Sequence, residues 1–227
     1  MIEIHKLVRS KRKTLALIVE NDGTLTVRAP LRMHEADIWR FIEAKTDWIK
    51  RKQVMAQKEA ELLHQYVDGE TFLYLGKEIL LRIVSAEGPR KGNKKPALVM
   101  DGFFKLTKSA QPQAKSFFEA WYKKQARAVL SERIEYFAGE RGFKVKKIRV
   151  SSARTRWGSC STKGTLSFTW RLVMAPLEVI DYVVVHELCH LKELNHSKAF
   201  WSQMEAILPD YKVQRKWLKK NGKFLRL

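Results

Sequence analysis

Five consecutive residues, His186-Glu187-Leu188-Cys189-His190, have the types and spacing for hydrolytic chemistry. On an α-helix, positions four apart lie on one face about a turn from each other, so both imidazoles can reach one metal ion while Glu187 stands beside it. Zinc lowers the pKa of a bound water from about 15.7 to about 7, and an adjacent carboxylate can take the proton as the water attacks an electrophile. Glu187 is the candidate base. Asn195-His196 follows after a further turn and a half, and Asn195 is expected to end the helix in a left-handed conformation. His196 would then complete three ligands and leave a fourth position for water or substrate, as a catalytic site needs. The competing reading is that two buried histidines merely pack. Cys189 sits one residue before His190, points about 100° away around the helix and reads as a small core residue. Cys160 reads the same way, and His5, His34 and His64 lack ligand spacing.

The helix that must hold this cluster is apolar. Val183-Val184-Val185 precedes His186, and Pro176 opens the segment. Two histidines and a glutamate in a buried helix carry a desolvation cost that metal ligation would meet. Upstream, Val145, Ile148 and Val150 predict one strand and Leu166 with Phe168 another, joined through Arg156-Trp157-Gly158-Ser159-Cys160 and a turn at Lys163-Gly164. Before them, Phe117, Phe118, Trp121, Tyr122, Ala126, Val129, Leu130, Ile134 and Phe137 predict a long helix ending at Gly139 or Gly142. The first hundred residues read as short strands around one long helix. Leu15 to Val19 and Leu25 to Val27 flank Asn21-Asp22-Gly23 as a hairpin. Ile38, Phe41, Ile42, Ala44, Trp48, Ile49 and Val54 mark a helix continuing toward His64, with Lys50-Arg51-Lys52 on its outer face. Thr71 to Leu75, Glu78 to Val84, Ala97 to Met100 and Phe103 to Leu106 predict a small antiparallel sheet, interrupted at Gly76, Gly88-Pro89-Arg90-Lys91-Gly92-Asn93 and Asp101-Gly102. The change to helical composition near Ser109 to Pro112 places a domain boundary there, giving a strand-rich N-terminal domain over 1–108 and a catalytic domain over 109–227. The expected class is α+β.

The chain has 227 residues, with 44 Lys and Arg against 24 Asp and Glu, so the formal charge is +20. Seven Trp and eleven Phe supply a real core and exclude a disordered or collagen-like chain. Two cysteines cannot make a disulfide scaffold, Met1 to His5 do not open a signal peptide, and no run approaches the roughly 18 to 20 apolar residues of a membrane helix. A reducing cytoplasm is the expected address, with no membrane partner. The basic residues occur as Lys11-Arg12-Lys13, Arg90-Lys91, Lys94-Lys95, Lys144 to Arg149 and Lys212 to Arg226. So dispersed a charge fits solvation, a nucleic-acid partner or an anionic substrate.

The run Arg156 to Cys160, then Leu166-Ser167-Phe168, Arg171-Leu172, Ala175-Pro176, Tyr182-Val183-Val184, His186 to Leu191, and Asn195-His196-Ser197 with Phe200-Trp201, resembles the YgjP-like family of zinc metallopeptidases, which is related to the WLM and SprT-like peptidases. The likeness is dense over the last third of the chain. It implies His186, His190 and His196 as zinc ligands and Glu187 as the catalytic residue. It also implies a zincin-like domain in which a strand, at Leu166 to Phe168 or near Trp157, holds an extended peptide by main-chain hydrogen bonds. Arg154, Arg156 and Arg171 lie in the motif region that the resemblance places around the cleft. Their planar forks suit carboxylate or phosphate, and their ordinary role would be salt bridges to acids such as Asp181 or Glu178.

Three functions follow as expectations. One is a zinc-dependent metallopeptidase acting on a peptide or protein. A second is a metal-dependent nucleoside triphosphate pyrophosphatase, an activity associated with family members, which would use the same zinc and base with the arginines on phosphate. The third is a nucleic-acid-associated protein recruited by charge, as distant relatives cut proteins attached to DNA. Restraint of the enzyme by the strand-rich N-terminal part is a further expectation, and Trp201 and Trp217 read as core.

Overall fold

The computed structural model describes residues 2–20, 22–61, 64–85, 96–139 and 141–227, with the backbone alone for 57–61. Asn21 of the expected turn, the loop residues Gly88 to Asn93, and Lys94 and Lys95 lie outside them. Among the described residues the architecture is mixed, with six α-helices and three small sheets. The chain divides into two compact units, Met1–Leu63 and His64–Leu227.

In the first unit, β1 (Lys6–Ser10), β2 (Ala16–Val19) and β3 (Leu25–Pro30) form a sheet in the order β1-β3-β2. The β2–β3 pair is the expected hairpin, antiparallel with Val19 opposite Leu25. Its turn is held by Asp22 Oδ1, which accepts from the Thr24 amide at 2.9 Å and the Thr24 hydroxyl at 2.7 Å. The sequence pattern did not predict β1, which pairs parallel to β3. The single helix expected here is two, α1 (Glu35–Ala44) and α2 (Thr46–Glu61). The break falls at Lys45, where φ is −113° and ψ is 12°, and the Thr46 hydroxyl turns back to the Ile42 carbonyl at 3.3 Å. Ile38, Ile42 and Ile49 are buried with Leu25, Val27 and Ala29, whereas Phe41, Trp48 and Val54 are exposed. The apolar face is therefore narrower than the sequence pattern. Lys50, Arg51 and Lys52 are exposed, as their spacing predicts.

In the second unit, β4 (Thr71–Tyr74), β5 (Lys77–Val84), β6 (Leu98–Asp101) and β7 (Phe103–Thr107) are ordered β4-β5-β7-β6. The expected all-antiparallel sheet is mixed, because β5 and β7 run parallel. Helix α3 (Ala114–Gly139) buries Phe118, Tyr122, Ala126, Leu130 and Ile134, a row at four-residue spacing. That row spans what the sequence separates at 108/109. Phe118 stacks on Phe72 of β4 at 4.2 Å, Tyr122 stacks on Trp170 at 5.8 Å, and the Tyr122 hydroxyl donates to the Leu73 carbonyl at 2.6 Å. One apolar core thus runs from Tyr66 to Leu227, within the second compact unit, which takes in both sides of 108/109.

The last sheet is β8 (Lys147–Ser151), β9 (Gly158–Cys160) and β10 (Thr165–Thr169), in the order β8-β10-β9. β10 is paired on both sides, parallel to β8 and antiparallel to β9, so β9 is an edge. Three helices follow: α4 (Leu177–Cys189), α5 (Lys198–Ile207) and α6 (Tyr211–Asn221). α4 packs against α3, α5, α6 and β9. No helix among the described residues is long and apolar enough to cross a membrane.

Candidate metal centre

α4 is hydrophobic almost all round and buries Val179 to Val185 together with Glu187, Leu188 and Cys189. A helix of that kind is held by packing on every side, which makes it a rigid platform for side chains in its last turn. Pro176 precedes it. The turn between β4 and β5 is tied to the same segment, since the Leu75 amide donates to the Val173 carbonyl at 2.8 Å. A methyl on Gly76 would sit 2.8 Å from Pro176 Cγ, so only glycine, at φ 76°, allows the two segments to approach so closely.

The helix ends earlier than the sequence predicts. Cys189 is its last residue and His190 its cap, in ordinary right-handed geometry. Asn195 does not adopt the left-handed conformation expected of it; among described non-glycine residues only Tyr66 and Leu75 have positive φ. The chain turns instead through residues 190–193, where the amides of Lys192 and Glu193 both donate to the Cys189 carbonyl at 3.0 and 2.9 Å. His196 lies beyond this turn, immediately before α5, whose first turn is capped by Ser197 accepting from the Phe200 amide at 3.2 Å.

The three histidines meet. Their candidate ligand nitrogens all lie within 4.8 Å of one another, and Nε2 of His186 is 3.0 Å from Nε2 of His196. His190 Nδ1 lies 2.9 Å from the Glu193 carbonyl, an acceptor, so Nδ1 carries a proton and donates it there. Burial, followed by His190 and His196, pushes His186 down to about 3, and burial also lowers His196. Both are therefore neutral at pH 7, the form that ligates metal. His186 Nδ1 is buried with no hydrogen-bond partner. The donor set fits a divalent ion: two nitrogens held at about 2.0–2.1 Å from one tetrahedral ion stand about 3.3 Å apart.

Phe200, fully buried, forms the floor. Its ring centroid is 4.9, 4.7 and 4.8 Å from those of His186, His190 and His196. Trp201 stacks on His196 at 5.6 Å and on Tyr211 at 5.3 Å, and Arg215 covers the indole at 5.0 Å. Trp201 and Trp217, both expected to be core, are partly buried and pack on the main core, and Trp201 also backs a candidate ligand. Nothing in the spacing of Phe200 marks it as a floor; it lies four residues after His196, but the convergence comes from α5 folding back on α4.

Glu187 is 5% exposed, and burial raises its carboxyl to about 7. No hydrogen-bond donor or cation contacts that carboxylate among the described residues. β9 runs directly beside it. A methyl on Gly158 would lie 2.6 Å from Glu187 Oε1 and 2.7 Å from its Cγ, so glycine at that position is what allows the strand so close. Trp157, one residue earlier, packs edgewise into the gap at Gly222, where a Cβ would meet its Cζ2 at 2.7 Å.

Cys189 is fully buried, its thiol pushed up to about 12 by burial, and it lies outside the histidine group. Cys160 and Cys189 are both free. His64 pairs with Glu70 at 2.7 Å and stacks on Phe72 at 4.1 Å, a packing role. The arginines are dispersed in role. Arg171 lies over Trp170 at 4.2 Å and donates to the carbonyls of Ser152 and Ala153 at 3.2 and 3.5 Å, pinning the loop between β8 and β9. Arg154 and Arg156 are exposed on that loop. None of the three pairs with Asp181, which Arg133 holds in a two-pronged bond at 2.6 and 2.8 Å.

The family model described as YgjP-like, metallopeptidase domain, matches the chain over residues 13–221. No curated protein matches it. Among solved structures, the crystal structure of the metallopeptidase zymogen of Pyrococcus abyssi abylysin is similar at 23% identity over 40% of this chain and 93% of that one, with a TM-score of 0.37.

Proposed function

The chain belongs to the YgjP-like metallopeptidase family, and from that premise we propose that it is a zinc-dependent peptidase whose ligands are His186, His190 and His196 and whose general base is Glu187. The observation that carries the reading is the convergence of three imidazoles, two of them pushed toward the neutral form, beside a buried carboxylate free of other partners. Together with β8–β10, the helix α4 then plays the part of a zincin-like active-site helix.

Zinc held there supplies Lewis acidity, which acidifies water and polarises a carbonyl. The chain's own residues do the rest. Glu187 Oε1 or Oε2 receives the proton of the attacking water and passes it to the departing amine, and a carboxyl raised toward neutrality by burial suits both halves of that transfer. Phe200 closes the floor, so the imidazoles are desolvated from below. β9 offers its unpaired edge to an extended peptide, and of the two strands considered for that role β10 has no edge to offer. Gly158 brings the bound backbone level with Glu187.

Arg154 and Arg156 stand at the entry to β9 and would touch the substrate chain there, while Arg171 acts through the loop it pins. Arg171 is committed to backbone carbonyls, which leaves Arg154 and Arg156 as the exposed arginines of the three.

Glu187→Gln is expected to keep one bound zinc per chain by elemental analysis and to cleave an unfolded protein at least about a hundredfold more slowly than the unaltered enzyme, the usual scale of general-base removal. Equal cleavage by the two proteins would sink the proposal.

A further inference from the structure

A second cleft, of about 340 Å³, opens where the turn after α4 meets the β9–β10 turn, and His190 forms part of its wall. Lys144, Lys146, Lys163 and Lys192 line it, and no aspartate or glutamate does. All four lysines are exposed, and none forms an ion pair with a carboxylate among the described residues. Their backbones are firmly held. The Lys146 amide donates to the Gly164 carbonyl at 2.9 Å, Ser161 and Thr165 bond across the turn at 2.9 Å, and the Thr165 amide also reaches Ser161 Oγ at 3.1 Å. Lys192 lies over the Phe143 ring at 4.7 Å, which turns its ammonium into the cleft. Leu194, 69% exposed, adds an apolar rim.

The cleft continues the path of a peptide along β9. Gly158 lies against Glu187, and Ser161, three residues further on, already lines the cleft. At about 3.3 Å per residue, a chain extended along that edge reaches the lysines roughly 10 Å from the bond beside Glu187.

We propose that this lysine cleft is a specificity subsite that binds aspartate or glutamate side chains of the substrate, about three residues from the bond to be cut. The proposal rests on the peptidase reading and names its substrate class: acidic peptide segments. Carboxylates on a peptide fit better than a bare phosphate for two reasons. The cleft contains lysine point charges but neither an arginine fork nor a glycine-rich turn of amides. It also borders the carbonyl end of α4, whose partial negative charge opposes a dense anion, whereas a peptide brings N–H donors along with its carboxylates.

The test uses the full chain as Glu187→Gln, loaded with zinc, and follows binding of a ten-residue peptide with four successive glutamates by fluorescence anisotropy, beside the same peptide with glutamines. The glutamate peptide is expected to bind at least about tenfold tighter in 0.05 M salt, with most of the difference lost at 0.5 M. Lys144→Gln/Lys163→Gln/Lys192→Gln should abolish the preference. Lys115→Gln/Lys124→Gln/Lys219→Gln, which removes the same charge from exposed sites elsewhere in the second unit, should retain it. Equal binding of the two peptides, equal loss in both triple variants, or displacement by inorganic triphosphate at tenfold lower concentration than by the free glutamate peptide would each overturn the proposal. Cleavage by the unaltered enzyme is measured in parallel. The expected binding pattern without cleavage would leave the subsite standing and count against the peptidase reading alone.

Discussion

Glu187 combines burial with the absence of a partner, and that combination has a measurable signature before any metal is added. Its carboxyl is raised from 4.5 to about 7, while the same group in the unfolded chain ionises near 4.5. Between those values the folded protein holds a proton that the unfolded chain has lost, so stability falls as pH rises through the window. The contribution is fully present below about 4.5 and gone above about 7, a loss of roughly 3 kcal/mol. Glutamine carries no charge at either end. Metal-free Glu187→Gln is therefore expected to match the unaltered protein in urea unfolding at pH 4.5 and to exceed it by roughly that amount at pH 8. A difference that does not change with pH would mean that Glu187 is not desolvated. Gly158 belongs to the same scale: the absence of a single Cβ decides how near a strand can pass to the carboxylate.

The elements that matter most are α4 and what grips it. α3 and α4 are joined by the Arg133–Asp181 pair, with side-chain exposures of only 17% and 12%. Removing one member of a buried pair strands the other charge, whereas replacing both by apolar residues removes the desolvation cost together with the attraction. Arg133→Ala should cost about 3 kcal/mol in the second unit's unfolding free energy, and Arg133→Met/Asp181→Leu should recover most of it. A single substitution costing less than about 1 kcal/mol would show that Asp181 is rehydrated. The edge strand β9 is the other decisive element. Three residues long, it is too short to invite indiscriminate pairing, yet it brings backbone groups at Gly158 against Glu187.

At the scale of the whole molecule, the two units own separate cores. Leu25, Val27, Ala29, Ile38, Ile42 and Ile49 form one, and the residues from Tyr66 onward form the other. A fragment of residues 64–227 is expected to unfold cooperatively and to bind one zinc. A fragment of residues 109–227, cut where the composition changes, loses Phe72, Leu81, Phe104 and Leu106 from beneath α3 and should bind a hydrophobic dye and melt without a sharp transition. Cooperative unfolding of the shorter piece by calorimetry would restore the division at 108/109. The charge of +20 is distributed over both units, and four lysines gather around a cleft that His190 also lines.

The amino-acid sequence by itself determined what depends on neighbours along the chain. The i, i+4 histidines with Glu187 between them, the apolar α4, the buried row of α3 and the β2–β3 hairpin all follow from helix and strand periods, which local geometry sets. The tertiary structure decided everything that depends on which segments meet. The period-2 signal of β5 and β7 carries no direction, so their parallel pairing was invisible, as was β1, whose partner lies across β2 and its turn. The meeting of His196 with His186 depends on α5 packing back against α4 after a turn that Asn195 does not make by itself. Phe200 became a floor, β9 an edge and the lysines a cleft for the same reason: a side chain's distance from another segment is fixed by packing, and the linear sequence records only its distance along the chain.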